Sequence, residues 1–251
     1  QTRTDAAMPL TAHLAGALSI TDPVEKAGQT HLLVTGWRDG TITGLGTTPP
    51  PGRPGRPARP ELKPPRDVPR RRIGPSASGR IALLHAIAHI ELNAIDLALD
   101  MACRYADADL PRAFFDDWLG VADDEARHFL MLNDRLAKLD ATYGDLPAHD
   151  GLWQAAQETA HDLLARLAIA PLVLEARGLD VTPAMIDRLR KVGDDESADA
   201  FAIIMHDEVG HVRVGKRWFD YVCGLQRLDP VSSWHRLVGT YFHGPLKPPF
   251  N

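Results

Sequence analysis

Residues 81–102 read IALLHAIAHIELNAIDLALDMA. Ile81, Leu84, Ala88, Glu91, Ile95, Ala98 and Ala102 advance in alternating steps of three and four. That spacing is one seam of an α-helix, because residues three and four apart share a face. The seam is apolar except at its middle, where Glu91 stands. Trp118, Ala122, Glu125, Phe129, Leu132, Leu136 and Leu139 repeat the stepping, again with one glutamate. Phe201, Ile204, Glu208, His211, Gly215, Trp218 and Val222 repeat it once more, with two polar members. A carboxylate buried without compensation costs several kcal/mol. Glutamates at several inward positions therefore call for a shared cationic partner.

The seams predict helices over 77–105, 111–140 and 195–223. Between them, 150–177 reads as one further helix. It includes the largely apolar run Leu163 to Leu174, then Glu175, with a kink at Pro171. Gly178-Leu179-Asp180 reads as a turn, followed by a short helix from Thr182-Pro183. Thr21-Asp22-Pro23 is a helix start, with a capping side chain before a proline at the first helical position. The expected fold is all-α: a four-helix bundle over 76–225, preceded by a helical segment over 1–47 packed on it and a strap over 48–75. It is followed by an extension over 226–251 with a short helix near 231–240. The strap, PPPGRPGRPARPELKPPRDVPRRRIGP over 49–75, is too proline-dense for helix or central strand and reads as extended.

Composition narrows the class. The chain has 251 residues, 44% hydrophobic, 24% charged and only 6% aromatic, the profile of a globular helical protein. No run of 18 apolar residues occurs, and no basic segment leads into an apolar core, so neither a membrane span nor a secretory signal is expected. Cys103 and Cys223 make no disulfide framework and no thiolate zinc site. The expected compartment is the cytoplasm. The formal net charge is −5, an argument against nucleic acid. The strap alone is basic, with Arg53, Arg56, Arg59, Lys63, Arg66, Arg70, Arg71 and Arg72 against Glu61 and Asp67. It reads as a tie over an acidic body or as a docking arm for an acidic partner, and it lacks interleaved aromatics for base stacking.

The chemistry is carried by a repeated module. Glu125 and His128 form Glu-x-x-His, as do Glu208 and His211. Glu91 precedes the first pair by 34 residues and Glu175 precedes the second by 33. At i and i+3 each pair points to one side of its helix and can share an ion. Glu91, Glu125, His128, Glu175, Glu208 and His211 make the ligand set of a two-metal carboxylate centre in a four-helix bundle. Such a set suits two divalent ions, iron first and manganese second. Asp124 and Asp207 are expected to accept the distal ring N–H of His211 and His128, orienting the ligands from behind. His85 and His89 miss the Glu91 seam and read as packing or hydrogen-bonding residues. His206 lies off the His211 face. Trp118 and Trp218 read as core.

A resemblance sharpens this. Asp124-Glu125-Ala126-Arg127-His128 resembles the Asp-Glu-x-Arg-His motif of di-iron oxygenases and ribonucleotide reductase-like proteins. Asp207-Glu208-Val209-Gly210-His211 matches it apart from Gly210 in place of arginine. Leu174-Glu175-Ala176-Arg177 and Glu125-Ala126-Arg127-His128-Phe129 resemble the tRNA-hydroxylase branch of the ferritin-like superfamily. HAIAHIELNAIDLALD (85–100), DDEARHF (123–129), YGDLPAHDGLW (143–153), LEARGLD (174–180), DEVGHV (207–212) and the Pro-Phe-Asn end together resemble an uncharacterised ferritin-like family, domain of unknown function 455. That likeness implies a ferritin-like bundle and the same six ligands, and implies no substrate. The expected function is an O2-activating oxidoreductase, a hydroxylase or oxidase, acting on a small organic substrate, with electrons from a separate reductase or from the substrate itself. The alternatives are ferritin-type iron binding or oxidation, distinguishable by assembly size, and a tRNA-modifying hydroxylase. A monomer or dimer is expected.

Overall fold

The computed structural model describes residues 8–68, 73–244 and 248, so Arg70, Arg71 and Arg72 of the strap and the Pro-Phe-Asn end lie outside the described residues. The described residues form helices and connections, with no strand beyond an isolated bridge between Leu62 and Ala148. In chain order the helices are α1 (Leu10–Ser19), α2 (Pro23–Arg38), α3 (Ala77–Arg104), α4 (Arg112–Ala137), α5 (Gly151–Glu158) and α6 (Leu163–Ile169). A π-helical segment (Ala170–Glu175) leads into α7 (Ala176–Lys191), then α8 (Asp195–Gln226) and α9 (Pro230–Tyr241).

Capping explains several of these boundaries. The Asp22 carboxylate accepts the Glu25 N–H at 2.8 Å, and Pro23 fills the first helical position of α2. Asp162, Asp194 and Asp229 do the same for α6, α8 and α9. Arg227 ends α8 in the left-handed region, φ 57°. α3, α4, α8 and α9 follow the expected ranges closely.

The third expected helix does not exist as one piece. Residues 150–177 divide into α5, α6 and the π segment. The Arg166 guanidinium, buried at 1% exposure, donates to the Thr159 hydroxyl at 3.0 Å and to the Ala156 carbonyl. It thus satisfies the end of α5 and makes the break there. Pro171 does not merely kink the helix. It lies inside the π segment, where the Ala176 N–H reaches five residues back to the Pro171 carbonyl. The turn expected at Gly178-Leu179-Asp180 is also absent, because α7 runs through it and through Pro183. The Thr182 hydroxyl donates to the Gly178 carbonyl at 2.7 Å beside the bond that Pro183 removes.

The chain divides into two compact units. One contains residues 1–58 and 91–130. Here α1 packs on α2, and α2 is tied down by polar contacts. Trp37 donates to Asp116 at 2.7 Å, and Lys26, at 1% exposure, meets the fully buried Asp96 at 2.6 Å. Arg56 from the strap meets the same Asp96 at 2.9 Å and donates to Asn93 at 2.7 Å. At this point the strap is a tie: one of its cations is spent inside the protein. A Cβ at Gly55 would collide with the Ser19 carbonyl, so the strap approaches the end of α1 only because residue 55 is glycine.

The other unit contains residues 59–90 and 131–251. α7 and the π segment pack on α8, and α9 packs on α6 and α8. Asp194 joins three elements: it caps α8, takes Arg80 of α3 at 3.1 Å and takes Arg135 of α4 at 3.1 Å. α3 is long and apolar enough to cross a membrane by composition, but 72% of its apolar window is buried inside the protein. It is a core helix whose residues through Ile90 belong to this unit, whereas Glu91, Asp96 and Asp100 belong to the first.

Candidate metal centre

In the first unit, Glu91 on α3 and Glu125 and His128 on α4 come together as their seams require. The residues are 3%, 0% and 0% exposed. Each offers a ligand atom, and these atoms lie within 4.8 Å of one another. His128 Nδ1 stands 3.1 Å from Glu91 Oε2 and 3.3 Å from Glu125 Oε2. Nδ1 is therefore the nitrogen turned to the carboxylates, and Nε2 is the one an orienting partner would have to reach.

The electrostatics are those of crowded like charges. Burial, then the Glu125 charge beside it, pushes the Glu91 carboxyl well above its usual range. Burial works against charge on His128, but its hydrogen bonds to Glu125 and Glu91 and their negative charge prevail, and its pKa is pushed up to about 11. The fold crowds two carboxyl groups and an imidazole in a buried place, and both shifts favour the protonated forms there. A divalent cation takes the place of such protons when it binds. Two carboxylates and one imidazole in this arrangement could hold a metal ion.

The second module is less enclosed. Glu208 and His211 lie on α8 with Oε1 and Nδ1 3.5 Å apart, and their side chains are 12% and 4% exposed. Glu175 is the last residue of the π segment and is half-buried. A π turn inserts one residue into the helical register and re-aims the side chains that follow. That re-aiming falls at Glu175.

The residues behind the ligands are placed as follows. Asp124 is half-buried on α4 and accepts from the Arg127 guanidinium at 2.9 Å. Asp207 is half-buried on α8. His85 and His89 are structural, as their spacing implied. His85 Nε2 accepts the Gly144 N–H at 2.9 Å, and its ring stacks on Tyr143 with centroids 5.2 Å apart. His89 Nε2 lies 3.0 Å from the His149 carbonyl and Nδ1 lies 2.7 Å from the Tyr143 hydroxyl. His206 is exposed, and Trp118 and Trp218 are core residues at 2% exposure. The buried Lys26–Asp96–Arg56 cluster was missed by sequence reasoning. Its one signal was Asp96 and Asp100 on the far side of α3, off the seam that carries Glu91.

Residues 19–251 match the family model described as "Protein of unknown function (DUF455)". An "Uncharacterized protein" of Haemophilus influenzae is 43% identical over 187 residues, a match covering 72% of this chain and 65% of that relative's length. No solved structure matches. With the family model spanning nearly the whole chain, and with the Glu-x-x-His modules and the segments around them inside that span, the protein belongs to the DUF455 family.

Proposed function

We propose that the chain is a metal-binding carboxylate protein whose two Glu-x-x-His modules hold a pair of divalent ions, and that it uses them as an O2-activating oxidoreductase. The observation that supports this most is the buried triad of Glu91, Glu125 and His128, with ligand atoms within 4.8 Å of one another. Two carboxylates and an imidazole are not buried together for stability, because apolar residues in their place would be cheaper. The sequence repeat supports extending the site to Glu175, Glu208 and His211. A reduced pair of iron ions supplies two-electron chemistry toward O2 when bound. The chain's own task is to hold those ions by mixed carboxylate and imidazole ligands and to exclude water. Ala88 and Ala122, both at 0% exposure, precede Glu91 and Glu125 by three residues and keep those helix faces small and buried. The substrate is proposed as a small organic molecule, with electrons from a separate reductase.

The test has two stages. Protein purified after growth with iron and manganese is expected to carry about two metal equivalents per chain. Loading apoprotein at about 100 times the dissociation constant should raise stability by about 2.7 kcal/mol, read as a shift in Tm. Anaerobic ferrous protein mixed with O2 should then consume it, read at an oxygen electrode. No metal uptake overturns the metal reading. Metal uptake without O2 consumption, with reductant supplied, overturns the oxidoreductase reading and leaves metal binding.

A further inference from the structure

Within the second unit, the two segments that carry ligands meet at a bare point. Pro171 lies in the π segment four residues before Glu175, and Gly215 follows His211 by four on α8. Both are buried. A Cβ added at Gly215 would collide with Cβ and Cγ of the Pro171 ring. A proline ring closed onto its own backbone cannot swing aside as the tip of a flexible side chain can. Residues 192–194 are the whole connection between α7 and α8, so the two segments run antiparallel. One helical turn from Pro171 leads to Glu175, and one turn back from Gly215 leads to His211. The contact therefore lies one layer from the ligands along the same interface.

Gly215 is a cost to α8 taken alone. A glycine inside a 32-residue helix weakens it relative to alanine. Other glycines of α7 and α8 need no such space: a Cβ at Gly178, Gly210 or Gly224 meets nothing within 4 Å. The requirement is local to position 215 and comes from Pro171.

We propose that Gly215 is a positioning residue of the metal centre: its missing side chain lets Pro171 seat on α8, and that seating sets the spacing of Glu175 from Glu208 and His211. This rests on the metal-binding reading above. Metal–ligand distances tolerate only a few tenths of an ångström, whereas a methyl group in this contact must move one segment off the other.

The experiment is a double-variant cycle on the full chain, with cobalt(II) as the probe. Wild type, Gly215→Ala, Pro171→Ala and the double variant are titrated with cobalt(II). Affinity is read by equilibrium dialysis and coordination by the visible d–d bands, with circular dichroism as a check on folding. Gly178→Ala is the control and should bind as the wild type does. Gly215→Ala is expected to keep its helical spectrum, to bind cobalt at least about tenfold more weakly and to show altered bands. In the Pro171→Ala background the same change should cost less than about twofold, because the ring it would strike is gone. A lowered Tm with unchanged cobalt affinity and bands would reduce Gly215 to a packing residue and overturn the proposal. So would an equal loss in both backgrounds. If Gly215→Ala does not fold, the double variant decides: the Pro171→Ala spectrum restored supports the proposal, and an altered one overturns it. Wild type that binds no cobalt overturns the parent reading and this one together, whereas wild-type binding unaffected by Gly215→Ala overturns this one alone.

Discussion

Glu125 and His128 lie on an uninterrupted α4, fully buried, with the imidazole within 3.3 Å of two carboxylates. Glu208 and His211 carry the same spacing on α8, yet Glu208 keeps 12% exposure. Their companion Glu175 is half-buried at the end of a π segment rather than on a regular helix. One sequence pattern has two structural settings, the first closed and the second more open and locally irregular. Helical periodicity decides which side of a helix a ligand takes. It does not decide how deep that side lies or how the neighbouring helix is wound. For the metal pair proposed above, we take the closed setting as the anchor and the open one as the adjustable side.

The largest effect that would break this comparison is expected at the anchor. Glu125→Ala should reduce bound metal from about two equivalents to well below one, measured by elemental analysis after dialysis. Glu208→Ala should cost about one equivalent of the two, since the first triad stays intact. Equal losses in both variants would erase the distinction between anchor and adjustable side. A smaller effect is expected behind the ligands. Asp207→Asn should weaken metal affinity or slow O2 consumption by about 10–100-fold. Asp124→Asn should do less, because the Asp124 carboxylate also serves Arg127. The reverse order would show that Arg127 is not what sets Asp124.

The smallest effect concerns two histidines of opposite sign in the metal-free protein. His85 is neutral: burial depresses its pKa below the usual 6.5 and Asp145 opposes this only in part. Its Nε2 accepts backbone N–H groups from Gly144 and Leu146. A histidine with a depressed folded pKa binds fewer protons folded than unfolded, so its contribution is present above about pH 6.5 and is lost as pH falls. The slope cannot exceed about 1.4 kcal/mol per pH unit for one proton. His128 has the contrary sign, because its pKa is raised to about 11. What it adds is fully present below pH 6.5 and is lost only as pH rises through about 11. Urea melts between pH 5 and 7 should therefore show an acid loss that His85→Gln flattens and His128→Gln does not. An acid loss untouched by His85→Gln would place the titrating group elsewhere.

Much of this molecule was decided within short stretches of sequence. The three-four stepping of Ile81 to Ala102, Trp118 to Leu139 and Phe201 to Val222 determined α3, α4 and α8, because an apolar seam is a property of spacing alone. Asp22-Pro23 determined the start of α2 for the same reason: a cap needs only its own next three residues. The glutamates on those seams declared the candidate site, since charge at an inward position is costly wherever it stands. What remained was decided between residues that share neither a helical turn nor a seam. The break after α5 needs Arg166 turned back onto the Ala156 carbonyl. The tie of the strap needs Asp96 to receive both Lys26 and Arg56. α7 runs through Gly178 despite a local preference to turn, because packing on α8 outweighs the cost of roughly 1 kcal/mol that a helical glycine carries. The π segment meets its counterpart at Gly215, and no window around Pro171 contains that residue. Periodicity and capping are local energies and are legible in sequence, whereas buried ion pairs and close backbone approach depend on which distant partner arrives, and only the tertiary structure decides that.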